Sequence, residues 1–222
     1  METERPFGHN ADMPSITRKA QSSRAQRRDD IRAKLLAAVE QMLAEGESFT
    51  ELSVERLVAQ AGVARSTFYV YFEDKGELLR AWLDEITSSL DDSARDWWGL
   101  DARATREDLH KALEKIVMTY RPHTNLMAAA FDAAAYDPAV REAAMGLMTH
   151  NAAGLRKHIK AGQRDGFVDA SLPAAEVAQW LTWMAERGLH QLVRGASDQT
   201  VDTLIEAYTA IVWNTLYAPS KA

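Results

Sequence analysis

Apolar residues along the chain recur at spacings of three and four, the period of an amphipathic helix. Ile31, Leu35, Val39, Met42 and Leu43 predict a first helix over 24–44, stopped by Gly46. Ser53, a good N-cap, opens a second, with Val54, Leu57, Val58 and Ala61 on one face. Ala61-Gly62-Val63 reads as a tight turn, and a short third helix comes next over 65–72. The fourth is long and starts near Asp74 or Lys75; Leu78, Leu79, Trp82, Ile86, Leu90 and Trp97 form its stripe. A fifth runs from near Thr105 to Arg121-Pro122, and a sixth covers roughly 125–135. Asp137-Pro138 is a cap followed by a first-turn proline, opening a seventh helix that ends near Gly162. The eighth covers 173–194, stopped by Gly195, and the ninth 197–217. No stretch alternates as a strand does, so the pattern predicts an all-α protein of nine helices. Residues 1–21 hold Pro6, Gly8 and Pro14 without sustained periodicity and read as a mobile arm.

Composition narrows this picture. The 222 residues are 46% hydrophobic and 26% charged, which suits a soluble protein with a substantial core. The absence of cysteine excludes disulfides, thiolate chemistry, cysteine-ligated zinc and iron–sulfur clusters. No run is long and apolar enough to span a membrane, and the N-terminus lacks the apolar region of a secretory signal, so a cytoplasmic protein is expected.

A net charge of −6 argues at first against a nucleic-acid partner. The distribution reverses that. Residues 15–35 carry seven cations against two anions, a net +5, which leaves −11 on the rest of the chain. A basic block on an acidic body can lean on a polyanion while the remainder stays away. Such a block alone is more often a solvated tail; here it gains significance from the helices immediately downstream.

Residues 49–79 contain two short helices joined by a glycine turn, the helix-turn-helix arrangement. At about 100° per residue, Phe68 and Phe72 share one face of the second helix, which is expected to be buried. The opposite face carries Ser66, Thr67 and Val70, with Tyr69 and Tyr71 on the flanks and Arg65 at the N-terminal end. Small central side chains let a helix approach base edges in a major groove. An arginine at the entry can fork onto guanine O6 and N7, and flanking tyrosines can donate to phosphates. Lys75 opens the next helix, whose N-terminal amides also favour a phosphate. Arg27 and Arg28 from the basic block and the cap Ser53 complete the expected DNA-contacting set.

At these residues a family resemblance emerges. Ser53-Val54 with Leu57, Ala61-Gly62-Val63, Thr67-Phe68-Tyr69, Tyr71-Phe72, Lys75 and Leu78-Leu79 closely resemble the N-terminal segment of TetR-type transcriptional regulators. The resemblance implies a cytoplasmic homodimer, paired through the last two helices, on palindromic double-stranded operator DNA, with a small-molecule effector bound in the C-terminal part. It divides the chain into the arm at 1–21, a helix-turn-helix domain at 22–73 and a ligand-binding and dimerisation domain at 74–222. Ala64 departs from the family pattern, which often places a capping serine or threonine there. The C-terminal part resembles the ethionamide-resistance type of these regulators at Leu172-Pro173-Ala174, Glu176, Ala178, Leu181, Met184, Glu186-Arg187, Leu189 and Gly195. Asparagines line the pocket in that type; Thr182 and Ala185 stand at the matching places, so ligand preference does not carry over.

Six tryptophans and eight methionines together suit an adaptable apolar cavity, though any one of them alone is more often an ordinary core residue. The candidate ligand-binding residues are Trp97, Trp98, Val117, Tyr120, Met127, Phe131, Met145, Met148, Asn151, Leu155, Thr182, Trp183 and Glu186. Asn151 and Glu186 are the polar ones, and Glu186 alternatively pairs with Arg187 or His190. For the dimer face the candidates are Trp180, Leu181, Met184 and Leu192 with Leu204, Tyr208, Ile211, Val212 and Thr215; the alternative is packing within one chain.

Motifs for catalysis are sparse. The chain has no phosphate-cradling glycine loop, no G-x-S-x-G elbow and no H-E-x-x-H. Glu107 and His110 have the spacing used in di-iron bundles, but such sites need two copies and further glutamates. No catalytic residue, metal or cofactor is expected. The best reading is a DNA-binding repressor released by a small apolar or amphipathic ligand. A ligand-independent regulator and a carboxylate-metal enzyme are the alternatives.

Overall fold

The computed structural model describes residues 16–217, with side chains from residue 25 onward. Among the described residues there are nine α-helices and no strand. They are α1 (Ile16–Ala44), α2 (Val54–Ala61), α3 (Arg65–Tyr71), α4 (Lys75–Trp98), α5 (Arg106–Tyr120), α6 (Thr124–Ala133), α7 (Pro138–Asp165), α8 (Ala174–Gly188) and α9 (Asp198–Leu216). A single 3-10 turn, Arg121–His123, joins α5 to α6, and the π-helical turn Leu189–Val193 ends α8.

The caps fall where the side chains predict. Ser53, Asp74, Thr105, Asp137 and Ser197 each accept a backbone N–H from the first turn of their helix. At Thr105 the bond is reciprocated by Asp108, a complete capping box. Three boundaries differ from the sequence expectation, and the simplest is that α7 runs past Gly162 to Asp165, where Gly166 in the left-handed conformation closes it. α1 begins at Ile16 rather than near 24, because no helix breaker stands between Pro14 and the basic block. Of the expected arm, 16–21 is thus helical and 1–15 lies outside the described residues. The eighth helix stops at Gly188 and widens into the π turn instead of running on to Arg194.

One buried cluster runs from α1 through α2 and α3 into α4, α6 and α7, with Leu35, Val39, Leu57, Phe68, Phe72, Leu78 and Leu79 at its centre. Each such side chain contributes about 1.5–3 kcal/mol on burial. Farther along, α5 packs on α4 and α9, while α7 packs on α4 and α8. The ring closes where α9 meets the π turn.

Where α4, α7 and α9 meet at one end of the ring, three polar groups are buried together. Trp97 Nε1–H donates to the Tyr217 hydroxyl at 2.9 Å, and that hydroxyl lies 2.7 Å from His158 Nε2. Burial holds the His158 pKa below its ordinary 6.5, so the ring is neutral and Nε2 accepts the tyrosine proton.

Two outcomes are expected. Tyr217→Phe removes the shared hydroxyl and strands both neighbours, lowering unfolding free energy by about 1–3 kcal/mol in urea titration. Folded His158 resists a proton that the unfolded chain accepts, so its contribution is present above pH 6.5 and is lost as pH falls below that value. The pH dependence of the unfolding free energy between pH 7.5 and 5.5 becomes shallower in His158→Gln.

Candidate functional site

The turn between α2 and α3 is made by local chemistry. Gly62 adopts φ +63°, the left-handed conformation that a side chain disfavours, and its N–H and that of Val63 close the end of α2. Ala64 precedes α3 and supplies no side-chain cap, as its methyl group requires. The first turn of α3 is therefore held from outside, by tertiary packing.

That packing comes from the two phenylalanines. Phe68 and Phe72 are buried, at 0% and 1% exposure, with ring centroids 5.7 Å apart. Val70 on the opposite side is 72% exposed, beside exposed Ser66 and half-buried Thr67. Tyr69 is exposed and Tyr71 half-buried on the flanks. Arg65 projects at the N-terminal end, 2.7 Å from Glu55 of α2 and with its guanidinium over the Tyr69 ring. Both members of that ion pair are exposed, so the pair is weak and leaves the guanidinium open to other acceptors. Exposed Arg27 and half-buried Ile31 of α1 face Ser66, Thr67, Val70 and Tyr71 across a shallow groove, and Arg28 lies over the Phe72 ring. The basic surface therefore adjoins the outer face of α3. Arg18, Lys19 and Arg24 of the same block have side chains outside the described residues.

Lys75 requires a correction. Its ammonium donates to the carbonyls of Phe49, Thr50 and Leu52 at 2.7, 2.8 and 2.9 Å and lies 4.9 Å from the Phe49 ring centroid. All three N–H donors are spent inside the chain, so Lys75 ties the 49–52 loop to the start of α4 instead of reaching for a phosphate. Burial also lowers its pKa from the ordinary 10.5. Ser53 likewise serves first as the α2 cap, with its oxygen 3.2 Å from the Arg56 amide.

The ring of α4, α5, α7, α8 and α9 lines a cavity of about 250 Å³, with Met127 of α6 and exposed Met184, Leu192 and Ile211 also in its wall. Trp97, Trp98, Val117, Tyr120, Met127, Met148, Asn151, Leu155, Thr182 and Glu186 line it as the sequence suggests. Phe131, Met145 and Trp183 do not. Phe131 and Met145 pack against the cluster that runs through α1 and α4, and Trp183 points outward at 41% exposure. Sequence reasoning missed the α9 contribution of Leu204, Ile205, Tyr208 and Ile211, and that of Leu189 and Val193 from the π turn. Periodicity marked these positions apolar, but it carried no sign of which apolar neighbour they face.

The outer apolar face of α8 and α9 also differs from the expected stripe. Leu181 and Val212 are buried within the chain, and Leu204 and Tyr208 turn toward the cavity. The exposed members are Trp180, Trp183, Met184, Leu192 and Ile211.

Inside the cavity two polar atoms lack hydrogen-bond partners, Tyr120 Oη and Glu186 Oε2. Burial raises the Glu186 pKa, and nearby Arg187 holds it back. That arginine is the expected partner, but its Nε lies 3.9 Å from Oε2 and forms an ion pair without a hydrogen bond. Burial, and then the Glu186 charge, push the Tyr120 pKa up.

Comparison with known proteins agrees with this geometry. Residues 35–82 match the family model described as "Bacterial regulatory proteins, tetR family", and residues 109–218 match "Transcriptional regulator EthR, C-terminal domain". The chain belongs to the TetR family of transcriptional regulators.

The regulator is 27% identical over 196 residues to the HTH-type transcriptional regulator EthR of Mycolicibacterium smegmatis, covering 85% of this chain and 88% of that one. The EthR of Mycobacterium tuberculosis is also 27% identical, over 191 residues, covering 83% and 88%. Among solved structures, the fatty acid degradation regulator FadR from Bacillus halodurans shares the fold with a TM-score of 0.68 at 17% identity, covering 82% and 94%. These relatives are regulators, not enzymes. The di-iron spacing noted in the sequence dissolves into other contacts: Glu107 forms an ion pair with Lys111 at 3.4 Å, and His110 Nδ1 lies 3.4 Å from Glu206 Oε2. No cluster of three His, Asp or Glu side chains suited to a metal occurs among the described residues, and no helix there is long and apolar enough to cross a membrane.

The corrected role of Lys75 is testable beside Arg27. Lys75→Met lowers unfolding free energy by about 1–3 kcal/mol by stranding three carbonyls, while the salt dependence of DNA binding keeps its slope. Arg27→Ala leaves stability within about 0.5 kcal/mol and reduces that slope by about 1. Chemical denaturation and binding titrations over a range of salt concentrations check both.

Proposed function

We propose that the regulator is a cytoplasmic repressor that binds a palindromic operator as a homodimer and releases it when a small apolar or amphipathic ligand enters the cavity. The observation that carries the reading is α3 itself: anchored by Phe68 and Phe72, it offers Arg65, Ser66, Thr67, Tyr69 and Val70 to solvent beside Arg27 and Arg28. In this reading 22–73 form the DNA-reading domain and 74–222 the ligand-binding and dimerisation domain; the arm at 1–21 falls largely outside the described residues.

The homodimer is supported by the outward apolar face. Trp180 at 78% exposure, with Trp183, Met184, Leu192 and Ile211, is more apolar surface than a free helix pair usually leaves in water. Pairing two copies there buries it and holds two α3 helices at one fixed separation. Successive major grooves on one side of B-DNA lie about 34–36 Å apart, so the dimer binds only when its spacing matches. A ligand that prefers the mismatched spacing releases the DNA. It needs about 5.5 kcal/mol of preference to move a 1:99 equilibrium to 99:1. Support for release by ligand comes from the cavity, which shares its α4 wall with the element carrying Lys75.

Gel-shift titration on DNA from the regulator's own upstream region tests the reading. Arg65→Ala is expected to cost about 1–3 kcal/mol and to relax preference at one base position, because it removes a bidentate base contact. Uniform weakening across all base substitutions refutes the role given to Arg65. Failure of the unaltered protein to shift any upstream fragment refutes the whole reading.

A further inference from the structure

We propose that the effector is a hydrophobic amine whose protonated nitrogen is held by the Glu186 carboxylate and the Tyr120 hydroxyl inside the cavity. This rests on the reading that the cavity receives a small-molecule effector, and it names the chemical class of that effector.

The cavity is apolar along most of its wall, from Leu90 and Leu113 to Leu147 and Ile205. Its polar lining is sparse, chiefly Tyr120, Asn151, Thr182 and Glu186, so the chain itself offers little to satisfy a polar group there. Glu186 is 5% exposed and Tyr120 2% exposed, and each presents an atom with no hydrogen-bond partner. A carboxylate oxygen only accepts, whereas a phenol both donates and accepts. The complementary ligand group therefore carries several N–H donors on one small centre. An ammonium group has them and also compensates the carboxylate charge.

Cations of the chain do not fill that role. Arg187 approaches Glu186 Oε2 no closer than 3.9 Å, and its side chain is 64% exposed. Arg194 is exposed and donates to Asn125. Both act on the interior only as charges at a distance, Arg187 on Glu186 and both on Tyr120, and neither supplies a hydrogen bond to Glu186 Oε2 or Tyr120 Oη. His190 lies outside the cavity wall, with its pKa lowered by burial and by these two arginines. A carboxylate ligand meets Glu186 as a like charge, and an alcohol offers one donor and no charge.

The walls suit the remainder of such a molecule. Trp97, Trp98, Tyr120 and Tyr208 supply aromatic surface that favours a cation near its faces. The Trp97 N–H is already used on Tyr217, which leaves that wall apolar. A volume of about 250 Å³ is below the range of about 300–1,000 Å³ typical of drug-sized sites, so the class is a small amphiphile with one basic nitrogen.

Octylamine, octanol and octanoate share one tail and differ in the head group. Binding of each to the full-length protein is followed at pH 7 by calorimetry and tryptophan fluorescence. Octylamine is expected to bind about tenfold to a hundredfold more tightly than octanol, the factor a charge-assisted hydrogen bond supplies. Octanoate is expected to bind weakest. Glu186→Gln removes the preference for octylamine over octanol, which also separates the site from general attraction of a cation to an acidic protein. Tyr120→Phe weakens amine binding more than octanol binding. Thermal melts of both variants establish that they remain folded. Octanol binding as tightly as octylamine, or an undiminished amine preference in Glu186→Gln, overturns the proposal and leaves the ligand-receiving cavity standing. Failure of all three compounds to bind overturns the cavity reading and this proposal together.

Discussion

The burial of two phenylalanines governs the rest of the molecule. α3 has seven residues, fewer than an isolated helix needs to persist in water. Its start lacks a side-chain cap. What holds it is Phe68 and Phe72, one turn apart, driven into the cluster formed by α1, α2 and α4. Because each residue advances about 100° around the axis, burying these two leaves no freedom for the others. Ser66 and Val70 face outward, the tyrosines take the flanks and Arg65 projects from the end. The exposure of Val70, unfavourable for an isolated aliphatic side chain, is a consequence of the depth of its neighbours.

Helix α4 makes this local constraint matter at a distance. Its first turn is tied to the 49–52 loop by the three Lys75 hydrogen bonds, and its last turns, with Leu90, Ala94, Trp97 and Trp98, wall the cavity. Gly76 allows α7 to start against that first turn, where a Cβ would collide with Asp137 Oδ2. Asp137 in turn caps α7 and lies 3.9 Å from Arg80. Arg32 of α1 reaches Glu85 of α4 at 3.1 Å. Such partly exposed pairs are individually weak, so the coupling resides in the packed Leu78, Leu79, Trp82 and Leu83. A stiff helix gripped at both ends moves as a unit. Under the proposed mechanism a ligand that displaces the Trp97 end alters the angle at which α3 is presented.

Much of this was legible from residue order because helices are ruled by local geometry. Ser53, Asp74, Thr105, Asp137 and Ser197 announce helix starts through their side-chain oxygens, and the buried and exposed sides of α3 come from spacing alone. Reading failed where the deciding partner is remote in sequence. Lys75 looked available to phosphate because its acceptors are carbonyls on residues 49, 50 and 52, which local pattern does not connect to it. Phe131 and Met145 are apolar in the right region, yet two apolar environments compete for them and the cluster reaching α1 prevails over the cavity. The same ambiguity misplaced Leu181 and Val212 on the outer face. Hydrophobicity marks a side chain as buried without naming what buries it. The π turn at 189–193 had no signature, since its residues continue the apolar pattern of α8.

Glu186 is a buried acid with one carboxylate oxygen that no group of the chain hydrogen-bonds. Replacing a buried charge by an apolar side chain of similar size is commonly neutral or stabilising, so a leucine or methionine in its place would serve packing at least as well. Its neighbours make its position consequential. Trp183 and Met184 precede it by three and two residues and are exposed, while Thr182, Ala185 and Leu189 face the cavity with it. One stretch of α8 thus presents both the chamber and the apolar outer face, and it ends in a π turn that packs against α9. A ligand that satisfies Glu186 stabilises the particular arrangement of α8 in which its oxygen is met. Where α8 also forms the subunit contact, that same contact sets the distance between the two α3 helices. Differential affinity for two spacings then requires only that the Glu186 contact be formed in one of them and broken in the other.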